Sequence, residues 1–105
     1  MATLSTHVLD TSLGRPAGGV AITLLGSEGR LADAVTDIGG RAADLGGPLD
    51  PGTYTLRFDS GGYFAEHGIE GFYPEVLVTF TISGAGHVHV PLLLSPYGYS
   101  TYRGS

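Results

Sequence analysis

Two stretches of strict alternation constrain this chain most. In TYTLRF, Thr53 to Phe58, the residues Tyr54, Leu56 and Phe58 share one face, and in EVLVTFTI, Glu75 to Ile82, so do Val76, Val78, Phe80 and Ile82. A period of two puts every second side chain on one side of an extended backbone, so each stretch predicts a half-buried strand. VAITLL (Val20 to Leu25), HVHVPLLLS (His87 to Ser95) and STHVLD (Ser5 to Asp10) read as strands too, with LADAVT (Leu31 to Thr36) and YSTYR (Tyr99 to Arg103) as further candidates.

Turn signals separate these segments at short intervals: Gly14 to Pro16, GSEG at 26–29, DIGG at 37–40, DPG at 50–52, DSGG at 59–62 and SGAG at 83–86. The 18 glycines are therefore punctuation between strands and not low complexity. Short strands at such spacing predict an all-β sandwich or barrel. One stretch departs from the pattern. YFAEHGI, Tyr63 to Ile69, has no alternation and predicts a helix of about two turns, beginning after Ser60 and its glycines and stopped by Gly68. No repeat or linker divides the chain, and 105 residues suffice for one core, so one domain over 1–105 is expected.

Composition excludes several classes of function. There is no cysteine, which removes disulfides, thiolate chemistry and cysteine-ligated metals. Ten acidic residues face five arginines and no lysine, which argues against nucleic acid as a partner, since that needs a basic stripe. No apolar run approaches the roughly 18 residues that span a bilayer, so no membrane insertion is expected. The opening MATLSTHVLD lacks the basic-then-apolar layout of a secretory signal, and the expected compartment is the cytoplasm.

If HVHVPLLLS is extended, Val88, Val90, Leu92 and Leu94 face a core, while His87, His89, Pro91 and Leu93 face the other way. Two imidazoles then stand about 7 Å apart on one face. They are either the polar side of an edge strand or part of a site. Pro91 and Leu93 on that same face suggest that something covers it, a second subunit being one candidate. His7 lies in a third β context, and His67 falls in the expected helix as a surface or capping residue. Two chemistries fit three strand histidines: a zinc site built on the His-x-His pair, or metal-free general acid and base work by an imidazole. Arg41, at the exit of the TDIGG turn, is by its local surroundings a solvated turn residue. Nucleophile elbows and phosphate loops are absent.

Taken together, THVLDTSLGRPA, PGTYTLRFD, FYPEVLVTFTI and HVHVPLLLSPYGYSTYRGS resemble the 5-hydroxyisourate hydrolases, the enzymes of the transthyretin-related family. The resemblance runs from about Ser5 to Ser105, and its most specific element is the terminal YRGS, which distinguishes these hydrolases from transthyretin, the hormone carrier of the same fold.

The resemblance implies a transthyretin-like β-sandwich of two four-stranded sheets with one short helix, assembled as a homotetramer, a dimer of dimers with active sites at the mouths of a channel. It implies a cofactor-free and metal-free opening of the 5-hydroxyisourate ring to 2-oxo-4-hydroxy-4-carboxy-5-ureidoimidazoline. By the same resemblance His7, Arg41, His89 and Ser105 are catalytic. His7 and Arg41 also bind substrate, together with Tyr102, Arg103, Gly104 and Ser105 of the tail. A small-ligand carrier and a zinc hydrolase using His7, His87 and His89 are the competing classes. One departure stands out: where the family commonly has Asp-Gly-Arg, this chain has Gly39, Gly40 and Arg41, and loss of the aspartate predicts a less restrained turn.

Overall fold

The computed structural model describes residues Met1 to Ser105 and turns the alternation into layers. Strand β1 (Ala2–Asp10) buries Ala2, Leu4, Thr6, Val8 and Asp10 and turns Thr3, Ser5, His7 and Leu9 the other way. After it come β2 (Arg15–Pro16), β3 (Ala21–Gly26), β4 (Gly29–Val35), β5 (Arg41–Ala42), β6 (Gly52–Phe58), α1 (Ser60–Glu66), β7 (Val76–Ile82), β8 (Gly86–Ser95) and β9 (Gly98–Thr101). One sheet runs β2-β1-β8-β9 with β5 also on β1, and the other runs β4-β3-β6-β7. Between them lies one cluster of 20 buried apolar residues, drawing Leu4, Val8, Leu92 and Leu94 from the first sheet and Ile22, Leu24, Leu56 and Phe58 from the second. Full burial of side chains of this size stabilises by about 1.5–3 kcal/mol each, and with no disulfide this packing holds the sandwich together.

Where two four-stranded sheets are expected, the first has five strands. The extra one arises because β5 and β2 occupy successive stretches of the same edge of β1, β5 opposite Thr6 and His7 and β2 opposite Leu9 and Asp10. The outermost row is thus split in two, while the sandwich plan stands. The first strand also begins earlier than Ser5, at Ala2, where a bridge to Leu49 clips its start.

The helix forms three residues earlier than Tyr63–Ile69. Its cap is Asp59, whose carboxylate accepts from the Gly62 N–H at 3.0 Å, so Ser60, Gly61 and Gly62 form its first turn instead of preceding it. Gly61 belongs there because a Cβ would lie 2.7 Å from the Pro74 carbonyl oxygen, to which its own N–H donates. His67 is the C-cap, donating through its backbone N–H to Phe64, and Gly68 follows at φ +67°.

Two buried polar side chains on β1 are fully engaged. The Thr6 hydroxyl donates to the Val90 carbonyl at 2.6 Å. Asp10 accepts from the hydroxyls of Ser12 (2.6 Å) and Tyr63 (2.8 Å) and from the N–H groups of Ser12 (3.1 Å) and Leu13 (3.2 Å). Burial pushes the Asp10 carboxyl up, but these donors together outweigh it and hold it below 3.8. Burial, then the same hydrogen bond, then the carboxylate's charge push the Tyr63 phenol up to about 12. This pair fastens α1 to the first strand.

All strand pairings but one are antiparallel. The exception is β1 with β8, parallel from Ala2 opposite Gly86 to Asp10 opposite Leu94. No helix is long and apolar enough to cross a membrane.

Candidate active site

The parallel register sets Thr3 beside His87, Ser5 beside His89 and His7 beside Pro91. All six lie on the face of the first sheet that points away from the core, by the alternation of their strands. Their hydrogen bonds form a file. Thr3 Oγ1 is 2.7 Å from His87 Nδ1, Ser5 Oγ is 2.7 Å from His87 Nε2, and the same Ser5 Oγ is 2.7 Å from His89 Nδ1. The two imidazoles lie with centroids 6.5 Å apart and planes 21° apart, close to the separation that strand geometry predicts. His87 is exposed and His89 half-buried.

Arg41 reaches this face through the shortest of strands. Strand β5 is two residues long, and its register puts Arg41 opposite His7. The preceding turn is well restrained, contrary to the expectation from Gly39. Asp37 takes over: its Oδ1 accepts from the N–H groups of Gly39 and Arg41, both at 2.9 Å, while its own backbone pairs with Gly40 and Arg41. Gly40 is indispensable to this turn, since at φ +75° a Cβ would run into the Val8 carbonyl oxygen. The Arg41 side chain is exposed and has no ion-pair partner, unlike Arg30 with Asp33 and Arg57 with Glu75.

The C-terminal tail folds back over β8. Gly104 donates to the His89 carbonyl at 2.8 Å and forms an isolated bridge with His89. A Cβ at Gly104 would lie 2.6 Å from His89 Cδ2 and 3.2 Å from Pro91 Cγ, so closeness of approach makes this position a glycine. The cover over Pro91, for which a second subunit is one candidate in the sequence, thus includes the chain's own tail. Tyr102 and Arg103 point elsewhere. They line a cavity of about 210 Å³ with Val78, Phe80, Val88 and Val90 at the margin between the sheets, and neither His7, Arg41 nor His89 lines it. Ser105 is exposed beside Gly104.

The electrostatics single out His89. Burial first, then the charge of Arg41, then the neighbouring His7 and His87 hold its imidazole below the usual 6.5, against a backbone hydrogen bond to Ser5 that acts upward. A neutral imidazole beside a permanent cation can accept a proton while the cation stabilises developing negative charge. His7 adds a further feature: its Nε2 is buried without any hydrogen-bond partner. Leaving such an atom unpaired costs about 1–3 kcal/mol, an arrangement met where a ligand completes the bond. No group of three histidine or carboxylate side chains is gathered closely enough to hold a metal ion. Both ring nitrogens of His87 face hydroxyls. His67, outside the site, bonds the Tyr63 carbonyl through Nδ1 at 2.8 Å and packs at a tilt of 39° against the Tyr63 ring.

The structure thus brings together His7, Arg41, His89 and Gly104, and leaves Tyr102 and Arg103 to one side. It adds Thr3, Ser5 and Asp37, which the sequence reading passed over. The alternation of β1 puts Thr3, Ser5 and His7 on one side, and that was the available signal. That they face His87 and His89 depends on the parallel pairing, which no local pattern encodes.

The chain resembles known proteins along nearly its whole length. The family model described as HIUase/Transthyretin family matches residues 4–104. A 5-hydroxyisourate hydrolase of Mus musculus is 47% identical over 111 residues, covering 97% of this chain and 94% of that protein. Among solved structures, the 5-hydroxyisourate hydrolase of Klebsiella pneumoniae superposes with a TM-score of 0.91 at 43% identity, covering 98% of this chain and 99% of that one. Transthyretin from Sparus aurata superposes with a TM-score of 0.89 at 32% identity, covering 96% and 95%. Fold and sequence agree over this span, and the chain belongs to the HIUase/Transthyretin family.

Proposed function

We propose that the chain, acting as one domain over residues 1–105, is a 5-hydroxyisourate hydrolase. The observation that carries the proposal is a half-buried histidine, His89, hydrogen-bonded through Nδ1 to Ser5 and held below its usual 6.5 by burial and by Arg41, an arginine with no ion-pair partner. The names of the mouse and Klebsiella relatives supply the substrate.

In this reading water adds to a ring carbonyl carbon of the cyclic substrate as His89 Nε2 takes one of its protons. A positioned base of this kind is worth about 10²–10⁴ in rate. Arg41 holds the ring through its fork of donors and stabilises the oxyanion. The carbon–nitrogen bond then breaks, its electron pair stays on the ring nitrogen, and that nitrogen takes the proton back from the imidazolium. His7 Nε2, without a partner in the protein, is the atom to meet either the water or a polar group of the substrate. The tail contributes Gly104 directly, and Tyr102, Arg103 and Ser105 would close over the ligand by moving toward the face that Gly104 already touches.

A homotetramer, built as a dimer of dimers, is part of the proposal. Leu9 and Leu93 support it, since they lie on the outer face of the first sheet and line a 400 Å³ depression there with Pro16. The reading carries the cytoplasm as compartment, a matter for cell fractionation.

The deciding experiment follows fresh 5-hydroxyisourate with and without protein, measuring both rate and handedness of product, because the substrate also decays unaided. The wild type should accelerate ring opening and give a single-handed product, and His89→Asn should lose most of that while remaining folded. A protein that binds the compound without accelerating its decay would instead support a carrier.

A further inference from the structure

Ser5 carries one hydroxyl proton and stands 2.7 Å from a nitrogen of each of two histidines, His87 Nε2 and His89 Nδ1. A hydroxyl in this position donates to one ring and accepts from the other. The protons along Thr3, His87, Ser5 and His89 are therefore coupled, and the file has two arrangements. In one, Thr3 donates to His87 Nδ1, His87 Nε2–H donates to Ser5, and Ser5 donates to His89 Nδ1, so His89 carries its own proton on Nε2. In the other every bond is reversed: His89 Nδ1–H donates to Ser5, Ser5 donates to His87 Nε2, and His87 Nδ1–H donates to Thr3.

The surroundings favour the second arrangement. Arg41 is a permanent charge acting on His89, and near a cation the ring nitrogen that Ser5 leaves free is better a lone pair than an N–H. The other end of the file reaches exposed surface at His87, where the Thr3 hydroxyl can donate to water and close the sequence without an orphaned proton. We propose that Ser5, backed by His87 and Thr3, is a positioning device that fixes His89 in the Nδ1–H tautomer and so keeps Nε2 free to act as the base. This rests on the hydrolase reading for its consequence in catalysis, but the tautomer itself is a property of the free protein. The groups facing His89 are His7 and Ser5 from β1, Arg41 from β5, His87 from its own strand, and uncharged Gly104 from the tail, flanked in sequence by Arg103 and Ser105.

The test is made on the ¹⁵N-labelled full chain by long-range ¹H–¹⁵N correlation of the imidazoles, above the pH at which His89 takes a proton. In the wild type His89 should carry hydrogen on Nδ1 and a bare Nε2, and a wild-type His89 protonated on Nε2 overturns the proposal. In Ser5→Ala the His89 signal should move toward the Nε2–H form. There kcat should fall by about 10- to 100-fold, the range seen when the partner that orients a metal-bound imidazole is removed, with KM little changed. Because the Ser5 oxygen also stabilises the protonated ring, the acid limb of the rate profile should move to lower pH in Ser5→Ala. Ser5→Thr, which keeps the hydroxyl, should restore both tautomer and rate. A Ser5→Ala protein with the wild-type tautomer, kcat and pH profile would also overturn it. Failure of the hydrolase reading shows separately, as full activity in His89→Asn or none in the wild type, whatever the spectrum says.

Discussion

Arg41 stands directly opposite His7 in the antiparallel ladder between β1 and β5, which is only two residues long. So short a ladder cannot hold itself, and the Asp37 carboxylate, through the N–H groups of Gly39 and Arg41, holds it instead. Arg41 is therefore positioned by a side chain four residues earlier that binds its backbone N–H.

Replacing Asp37 by alanine should loosen that ladder. Displacement of a catalytic group by about 1 Å typically costs up to about 100-fold, and kcat/KM is expected to fall within that range, while urea unfolding shows a modest loss of stability. Steady-state kinetics equal to the wild type would show that the arginine is held by something else.

Gly104→Ala tests the contact between tail and histidine. Its Cβ would sit 2.6 Å from His89 Cδ2, so the tail must lift or the ring must turn. Activity should drop sharply. The melting temperature should hardly change, because Gly104 lies outside the buried core. A variant that melts like the wild type and turns over like it would show that the tail plays no part in the reaction.

The pH profile follows from the depressed pKa of His89. Because its folded pKa lies below 6.5, kcat/KM should be level near neutrality and fall about tenfold per unit only below that lowered value. The unfolded chain takes up the same proton at higher pH than the folded one. This group's contribution to stability is therefore present above 6.5 and is lost as the pH falls from there through the folded pKa. Arg41→Gln removes the second-largest cause of the shift, and the acid limb of its residual activity should move up toward 6.5. An unmoved limb in that variant would separate the arginine from the titration.

Tyr63→Phe should weaken the fold without touching the site. It leaves the buried Asp10 carboxylate one donor short, a loss of about 1–3 kcal/mol, read as a lower urea midpoint with unchanged kinetics. The Asp10 contribution is present above about 3.8 and is lost as the pH falls through its lower folded value, so the difference between variant and wild type should narrow in strong acid.

The sequence is most legible where one residue answers to one local rule. Alternation placed Leu56, Phe58, Val76 and Val78 in the core correctly, because a strand's two faces are set by its own backbone. The helix was legible in kind but shifted, since Asp59 competes with Ser60 for the cap and glycines usually mark turns. The strand histidines stand out by alternation and Arg41 only by a family pattern; the ladder sets Arg41 opposite His7, and the charge of Arg41 acts on His89. Ser5 stayed hidden because its meaning depends on which strand lies beside β1, a choice made by packing at long range. Tyr102 and Arg103 line a cavity that none of the histidines lines, although Gly104, the next residue, lies against His89.

The parallel pairing of the first strand with the eighth has a consequence in time. Ser5 and His89 are 84 residues apart, so at synthesis rates of about 5–20 residues per second β1 leaves the ribosome roughly 4–17 s before its partner exists. During that interval one strand edge and the buried-to-be face of Ala2, Leu4 and Val8 are exposed to any other nascent strand. The half of the Ser5–His89 contact that is made first must wait, unpaired, for the half that is made last, and the cell's chaperones have those seconds in which to guard it.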